Sequence, residues 1–112
     1  MKQTQLLKGT LEGCVLLIIS EHEVYGYEMV QQLRDYGFVD MVGGTVYPLL
    51  QKLEKQGFLS SQLKPSSDGP NRKYYQLTKL GADHCREFMV QWEDLTIKVN
   101  RVIKLKGENV YE

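Results

Sequence analysis

Apolar residues return at every third or fourth position over three stretches, around Leu11, Cys14, Val15 and Ile18, around Met29, Val30 and Leu33, and around Val46, Leu49, Leu50 and Leu53. That spacing puts each set on one face of an α-helix. From Leu59 the rhythm changes to period two. Leu59, Ser61 and Leu63 alternate with Ser60 and Gln62, and Lys73, Tyr75 and Leu77 alternate with Arg72, Tyr74 and Gln76. Between these runs lie residues 64–71, rich in turn formers and without a large apolar residue, so the stretch predicts a β-hairpin with a long, solvated tip. The last pattern is the longest: Cys85, Phe88, Trp92, Leu95, Val99 and Val102 follow at alternating steps of three and four, the seam of a heptad helix.

These patterns assemble into an order of elements. The first helix starts near Leu7, and Leu6, Leu16, Leu17 and Ile19 widen its stripe until it is apolar almost all round, so two buried sides are expected of it. Glu21, His22 and Glu23 break it. The second helix spans Tyr25 to Tyr36, with Gly26 allowing close packing, and a short connection ending in Gly43 and Gly44 leads to a third helix that Gly57 stops. Helix, short turn, helix is the helix-turn-helix arrangement, and a hairpin directly behind it is a wing. The expected fold is therefore mainly α (α+β). It has a winged helix-turn-helix over residues 1–77 with the wing at about 58–77, a long helix over 78–104 capped by Thr78, and a frayed tail over 105–112.

The third helix carries the candidate chemistry. Opposite its apolar stripe lie Thr45, Tyr47, Pro48, Gln51, Lys52 and Lys55, with no carboxylate before Glu54. Hydroxyls, an amide and amines suit phosphates and base edges. Gln51 fits bidentate readout of adenine, Lys52 and Lys55 fit phosphate or guanine, and Thr45 and Tyr47 fit phosphate or a thymine methyl. Pro48 reads as a marker of the helix start, where N–H groups lack intrahelical partners. On the hairpin, Lys64, Arg72 and Lys73 outnumber Asp68, making it a second candidate phosphate contact, with Lys8 on the first helix a third. Each feature also has a plainer reading: an amphipathic surface helix, and charges that keep an edge strand soluble.

Composition narrows the partners. With 112 residues, 42% of them hydrophobic, the chain suits one domain. Its 14 basic and 14 acidic residues cancel, so DNA binding has to come from local patches. The same neutrality leaves room for a winged-helix module that binds another protein and touches no DNA. Cys14 and Cys85 sit inside helical patterns, which favours reduced, buried thiols over a disulfide. The apolar run after Cys14 follows it instead of preceding it, which argues against a lipoprotein signal, and no run nears the roughly 18 apolar residues of a membrane span. A soluble, cytoplasmic protein without membrane association is expected. His22, His84 and the cysteines lack metal-ligand spacing, and neither a nucleophile motif nor a phosphate loop occurs, so no metal, cofactor or catalysis is expected.

One helix cannot bury a heptad seam alone. Cys85, Phe88, Trp92, Leu95, Val99 and Val102 are therefore read as a homodimer interface. Trp92 is large for a tight two-helix seam and leaves a gap that Phe88, Met89, Val15 and Leu11 would line as an effector pocket. In their order, Tyr25-Gly26-Tyr27-Glu28, Gly44-Thr45-Val46-Tyr47-Pro48-Leu49-Leu50, Leu53-Glu54-Lys55-Gln56-Gly57-Phe58-Leu59, and Arg72-Lys73-Tyr74-Tyr75-Gln76-Leu77-Thr78 with Gly81 resemble the PadR family of bacterial transcriptional regulators. The single C-terminal helix is similar to its smaller subfamily, which includes multidrug-sensing repressors. The resemblance implies a homodimeric repressor whose recognition helices enter successive major grooves of a palindromic operator in double-stranded DNA. It also implies release by an aromatic, phenolic or otherwise apolar small molecule, with Trp92 at the place where such ligands stack. The tip Gly69-Pro70-Asn71 departs from the family pattern, which often carries further arginines or prolines there.

Overall fold

In the computed structural model, which describes residues 5–111, the chain runs α1 (Gln5–Ile19), β1 (Val24–Tyr25), α2 (Gly26–Asp35), α3 (Gly43–Lys55), β2 (Leu59–Ser66), β3 (Gly69–Leu77) and α4 (Lys79–Lys106), followed by a 3-10 turn over Gly107–Tyr111. The same device ends both α2 and α3. Each is followed by a glycine in the left-handed region, Gly37 at φ 113° and Gly57 at φ 85°, where a side chain would be strained. The next residue then turns back over the helix. Phe38 N–H donates to the Leu33 carbonyl and Phe58 N–H to the Leu53 carbonyl, both at 3.0 Å, which satisfies end-of-helix carbonyls and seats both rings against the core.

The core lies where the three short helices meet the base of the sheet. Leu11, Val15, Leu16 and Ile19 of α1, Met29, Val30 and Leu33 of α2, and Val46, Leu50 and Leu53 of α3 are buried together with Val24, Leu59, Tyr75 and Cys85. Burial of each large side chain contributes about 1.5–3 kcal/mol relative to exposure, so the helical stripes hold α3 in place. The other side of α1 is different. Cys14, Leu17 and Ile18 line an open groove of about 410 Å³ with Glu21, Gln32, Tyr36 and Phe38, so this side of α1 is only partly covered within the chain. Gly9, on α1, has nothing within 4 Å of a Cβ built on it. Gly9→Ala is expected to raise stability by about 0.5–1 kcal/mol, read as a higher urea midpoint at unchanged slope. A lower midpoint would mean that a neighbour packs there.

The sheet has strand order β1-β3-β2, all antiparallel, with Val24 opposite Tyr75 and Leu59 opposite Leu77. The hairpin differs from the long-tipped loop expected. Its ladder extends to Ser66 opposite Gly69, leaving Ser67 and Asp68 as the turn. Pro65 cannot donate to a ladder, and a bulge between Lys64 and Ser66 absorbs it. Leu63 also departs from the alternation: it is exposed, because this part of the hairpin projects past the core.

Thr78 joins the two halves. Its hydroxyl accepts the Gly81 N–H at 3.0 Å as the cap of α4 and donates to the Gly57 carbonyl at 2.6 Å, fastening the end of α3 to the start of α4. Of the 28 residues of α4 only Gly81 and Cys85 are buried, and the helix makes the molecule 58 Å long against 29 and 20 Å across. Helix continues to Lys106 and the 3-10 turn beyond it, where fraying from 105 was expected. Lys104 and Lys106 in the last turn favour the carbonyl end of the helix.

Candidate nucleic-acid interface

Burying Val46, Leu50 and Leu53 fixes the rotation of α3, so Tyr47, Pro48, Gln51, Lys52 and Lys55 are exposed on its outer side and Thr45 lies half-buried at the margin. The structure thus brings together the six side chains expected to share one face. Pro48 needs correcting. With α3 starting at Gly43, Pro48 is the sixth helical residue, past the positions whose N–H groups lack partners. An N–H there would have bonded the Gly44 carbonyl, so the proline leaves that carbonyl without its helical donor on an exposed part of the helix. Tyr47 has a structural share as well. A Cβ at Gly26 would lie 2.7 Å from its ring and one at Gly43 2.6 Å, so the ring wedges between the starts of α2 and α3 while its outer edge stays exposed.

The wing stands beside this face. Tyr47, Arg72 and Lys73 line one hollow of about 230 Å³ together with Tyr25, Tyr27 and Tyr75. The Arg72 guanidinium sits 4.4 Å from the centre of the Tyr25 ring, and the Lys64 and Lys73 amines lie 5.5 and 5.2 Å from the rings of Tyr74 and Tyr75. The aromatic faces hold the cations at the hairpin surface. β1 makes this possible by carrying Tyr25 to the outer edge of β3, opposite Tyr74. A two-residue strand gives no periodic signal, which is why sequence reasoning missed it.

Sequence reasoning also missed how these cations are paired. Lys52 Nζ lies 2.9 Å from Glu12 Oε2 on α1, Lys64 pairs with Glu23, and Arg72 Nη2 lies 3.8 Å from Asp68 Oδ2. Lys73 Nζ lies 2.9 Å from Glu54 Oε1, and the other Glu54 oxygen accepts from the Ser61 hydroxyl at 2.5 Å. Among the described residues Lys55 has no carboxylate within ion-pair distance. Lys8 is exposed on α1 one turn before Glu12, on the helix face that meets Lys52.

Glu54 ties α3 to both strands of the wing. The hydrogen bonds from Ser61 and then from Lys73 hold its carboxyl below the ordinary value of 4.5, and the Glu54 contact raises the Lys73 amine above its own. A carboxyl with a lowered folded pKa adds stability that is complete above the ordinary range and lost as pH falls through the folded pKa. Lys73 has the opposite sign, its share being lost only in alkali. The stability advantage of the wild type over Glu54→Gln is therefore expected to hold at neutral pH and shrink on acidification below about 4.5. Parallel urea titrations at several pH values would show it, and an advantage that grew in acid would refute it.

The residues expected to line an effector pocket are not assembled within the chain. Leu11 and Val15 are 2% and 0% exposed in the core, and Cys85, expected at the dimer interface, is likewise packed into the chain's own core. Phe88 lies on the backbone of Gly13, where a Cβ would come within 2.5 Å of its ring, and stacks on Trp92 with ring centres 6.5 Å apart. Met89, Trp92, Leu95, Val99 and Val102 are exposed. Cys14 and Cys85 are free thiols whose pKa burial pushes up, and among the described residues no three His, Cys, Asp or Glu side chains converge as metal ligands. No helix among them is long and apolar enough to cross a membrane.

A helix-turn-helix with an amine-bearing outer helix, flanked by a basic hairpin, defines a winged helix-turn-helix protein. Residues 15–87 match the transcriptional regulator PadR-like family, and the chain belongs to it. A transcriptional regulator from Streptococcus is 54% identical, with a TM-score of 0.81 over 89% of this chain and 98% of that one. A PadR-like transcriptional regulator from Bacillus cereus is 44% identical, with a TM-score of 0.80 over 89% and 97%. A protein from Lysinibacillus sphaericus is 31% identical over 85% of this chain and 89% of its own length. Both of these structural relatives are described as regulators of transcription.

Proposed function

We propose that the protein is a cytoplasmic, homodimeric repressor that binds a palindromic operator and releases it when an aromatic or apolar small molecule binds. The observation that carries this reading is the apolar seam of α4. Trp92, Leu95, Val99 and Val102 project from the wing-bearing unit at 46%, 54%, 45% and 62% exposure. So long a strip of exposed apolar residues calls for a partner, and a second copy meets it with the same seam. Two copies joined in this way would offer two recognition helices, with Thr45, Tyr47, Pro48, Gln51, Lys52 and Lys55 towards the grooves and Lys64, Arg72, Lys73 and Lys8 towards phosphates. Sedimentation would establish the dimer. Titration of its own promoter fragment and of random duplex across several salt concentrations would test the repressor, and equal affinity for both duplexes would defeat it.

Trp92 is the chain's single tryptophan, so its fluorescence reports its own surroundings. With its neighbours Phe88 and Met89, it would give the dimer an aromatic wall near the seam. Planar aromatic cations are expected to quench it. Trp92→Ala is expected to weaken their binding about 5- to 30-fold, the equivalent of about 1–2 kcal/mol of cation–π attraction in a desolvated site. Equal affinity in the alanine variant would take Trp92 out of the site.

A further inference from the structure

The paired cations make a pattern that DNA binding by itself does not call for. On the recognition helix and wing, Lys52, Lys64, Arg72 and Lys73 each have a carboxylate partner, supplied by four different places in the chain. A cation already paired offers phosphate little net charge until the pair opens. The four pairs are not equivalent. Glu54 also binds Ser61 and builds the fold, and Asp68 sits at 3.8 Å in the wing turn beside an arginine that the Tyr25 ring already holds. Glu12 is of another kind. Among the described residues its carboxylate has one hydrogen-bond partner, the Lys52 amine, and it comes from α1, outside the helix-turn-helix and its wing.

We propose that Glu12 competes with DNA phosphate for Lys52 and so sets the affinity of the recognition helix for DNA. In the free protein the carboxylate occupies the place a phosphate oxygen would take, an anion at hydrogen-bond distance from the same ammonium. Lys52 is the more open of the two, with 56% of its side chain exposed against 25% for Glu12, so the amine can swing to a phosphate while the carboxylate stays behind on α1. Engagement then exchanges one anion for another. The exchange costs the protein the existing pair and leaves a negative charge facing the backbone of the duplex. Exposed pairs of this kind are weak, which makes the competition a tuning device and leaves DNA binding possible.

The placement of Glu12 also connects this affinity with α4. The next residue, Gly13, bears the Phe88 ring, and Phe88 stacks on Trp92, so Glu12 lies beside the contact between α1 and α4. The inference rests on the DNA-binding reading but needs no ligand.

Its test is a cycle of Glu12→Gln, Lys52→Gln and the double variant of the full-length protein, titrated against the promoter fragment and a random duplex at fixed salt. Glu12→Gln is expected to tighten both by about two- to five-fold for each recognition helix engaged, and to leave affinity unchanged in the Lys52→Gln background. Thermal melts of the variants should match wild type, since the pair lies at the surface. Tightening that survives without Lys52 would be a general charge effect and would overturn the proposal, as would unchanged or weaker binding by Glu12→Gln. A wild type that bound neither duplex would overturn the regulator reading as well, so the two failures are told apart.

Discussion

Gly81→Ala is expected to cost about 3 kcal/mol of stability and to lower the melting temperature by about 10 °C. A Cβ at this position would lie 2.1 Å from the Phe58 carbonyl oxygen and 2.7 Å from Leu77 Cδ1. The oxygen belongs to backbone that cannot step aside, because the same carbonyl accepts the Thr78 N–H at 3.1 Å and Phe58 N–H is committed to the Leu53 carbonyl. Relief would require α4 to lift from the end of the recognition helix. Thr78 would then lose its bonds to Gly57 and Gly81, so damage at one methyl group spreads to the joint between the halves. Urea or thermal unfolding would measure the loss. A melting temperature within a degree or two of wild type would mean that the approach of α4 to Phe58 is looser than the geometry states.

The second large effect concerns DNA. Lys52→Glu is expected to reduce affinity for the promoter on the order of 100-fold in a dimer that engages both recognition helices, with random duplex losing about as much. The substitution removes a cation from the outer face of α3, adds an anion, and sets two carboxylates against each other where Glu12 now meets an ammonium. The slope of log affinity against log salt should become shallower by about 0.9 for every phosphate that the variant no longer neutralises. Loss confined to the promoter would instead make Lys52 a reader of base edges. No loss on either duplex would remove the outer face of α3 from the interface altogether.

How much of this could be read from the sequence depended on how local the cause was. The recognition helix was legible because Val46, Leu50 and Leu53 repeat at helical spacing and Gly57 supplies the backbone conformation that ends it. The wing was legible as a hairpin but not in its length, since prolines at 65 and 70 look like loop until the bulge that accommodates Pro65 is seen. The heptad seam was legible as a seam. Its division was not: periodicity cannot say that Cys85 and Phe88 meet the chain's own core and α1 while Trp92 and beyond stay open. Least legible were the ion pairs, for Glu12 and Lys52 are 40 residues apart and Glu23 and Lys64 41, and nothing in their spacing announces that folding brings them together.

The length of α4 has a mechanical consequence. A helix of 28 residues is about 42 Å long, and its root is pinned where Gly81 meets Phe58. If two copies are clasped through the far part of this arm, a tilt of about 5° at the root swings the winged unit through roughly 3–4 Å, near the rise of one base pair. A change too small to disturb the core would then put the paired reading heads out of step with the double helix.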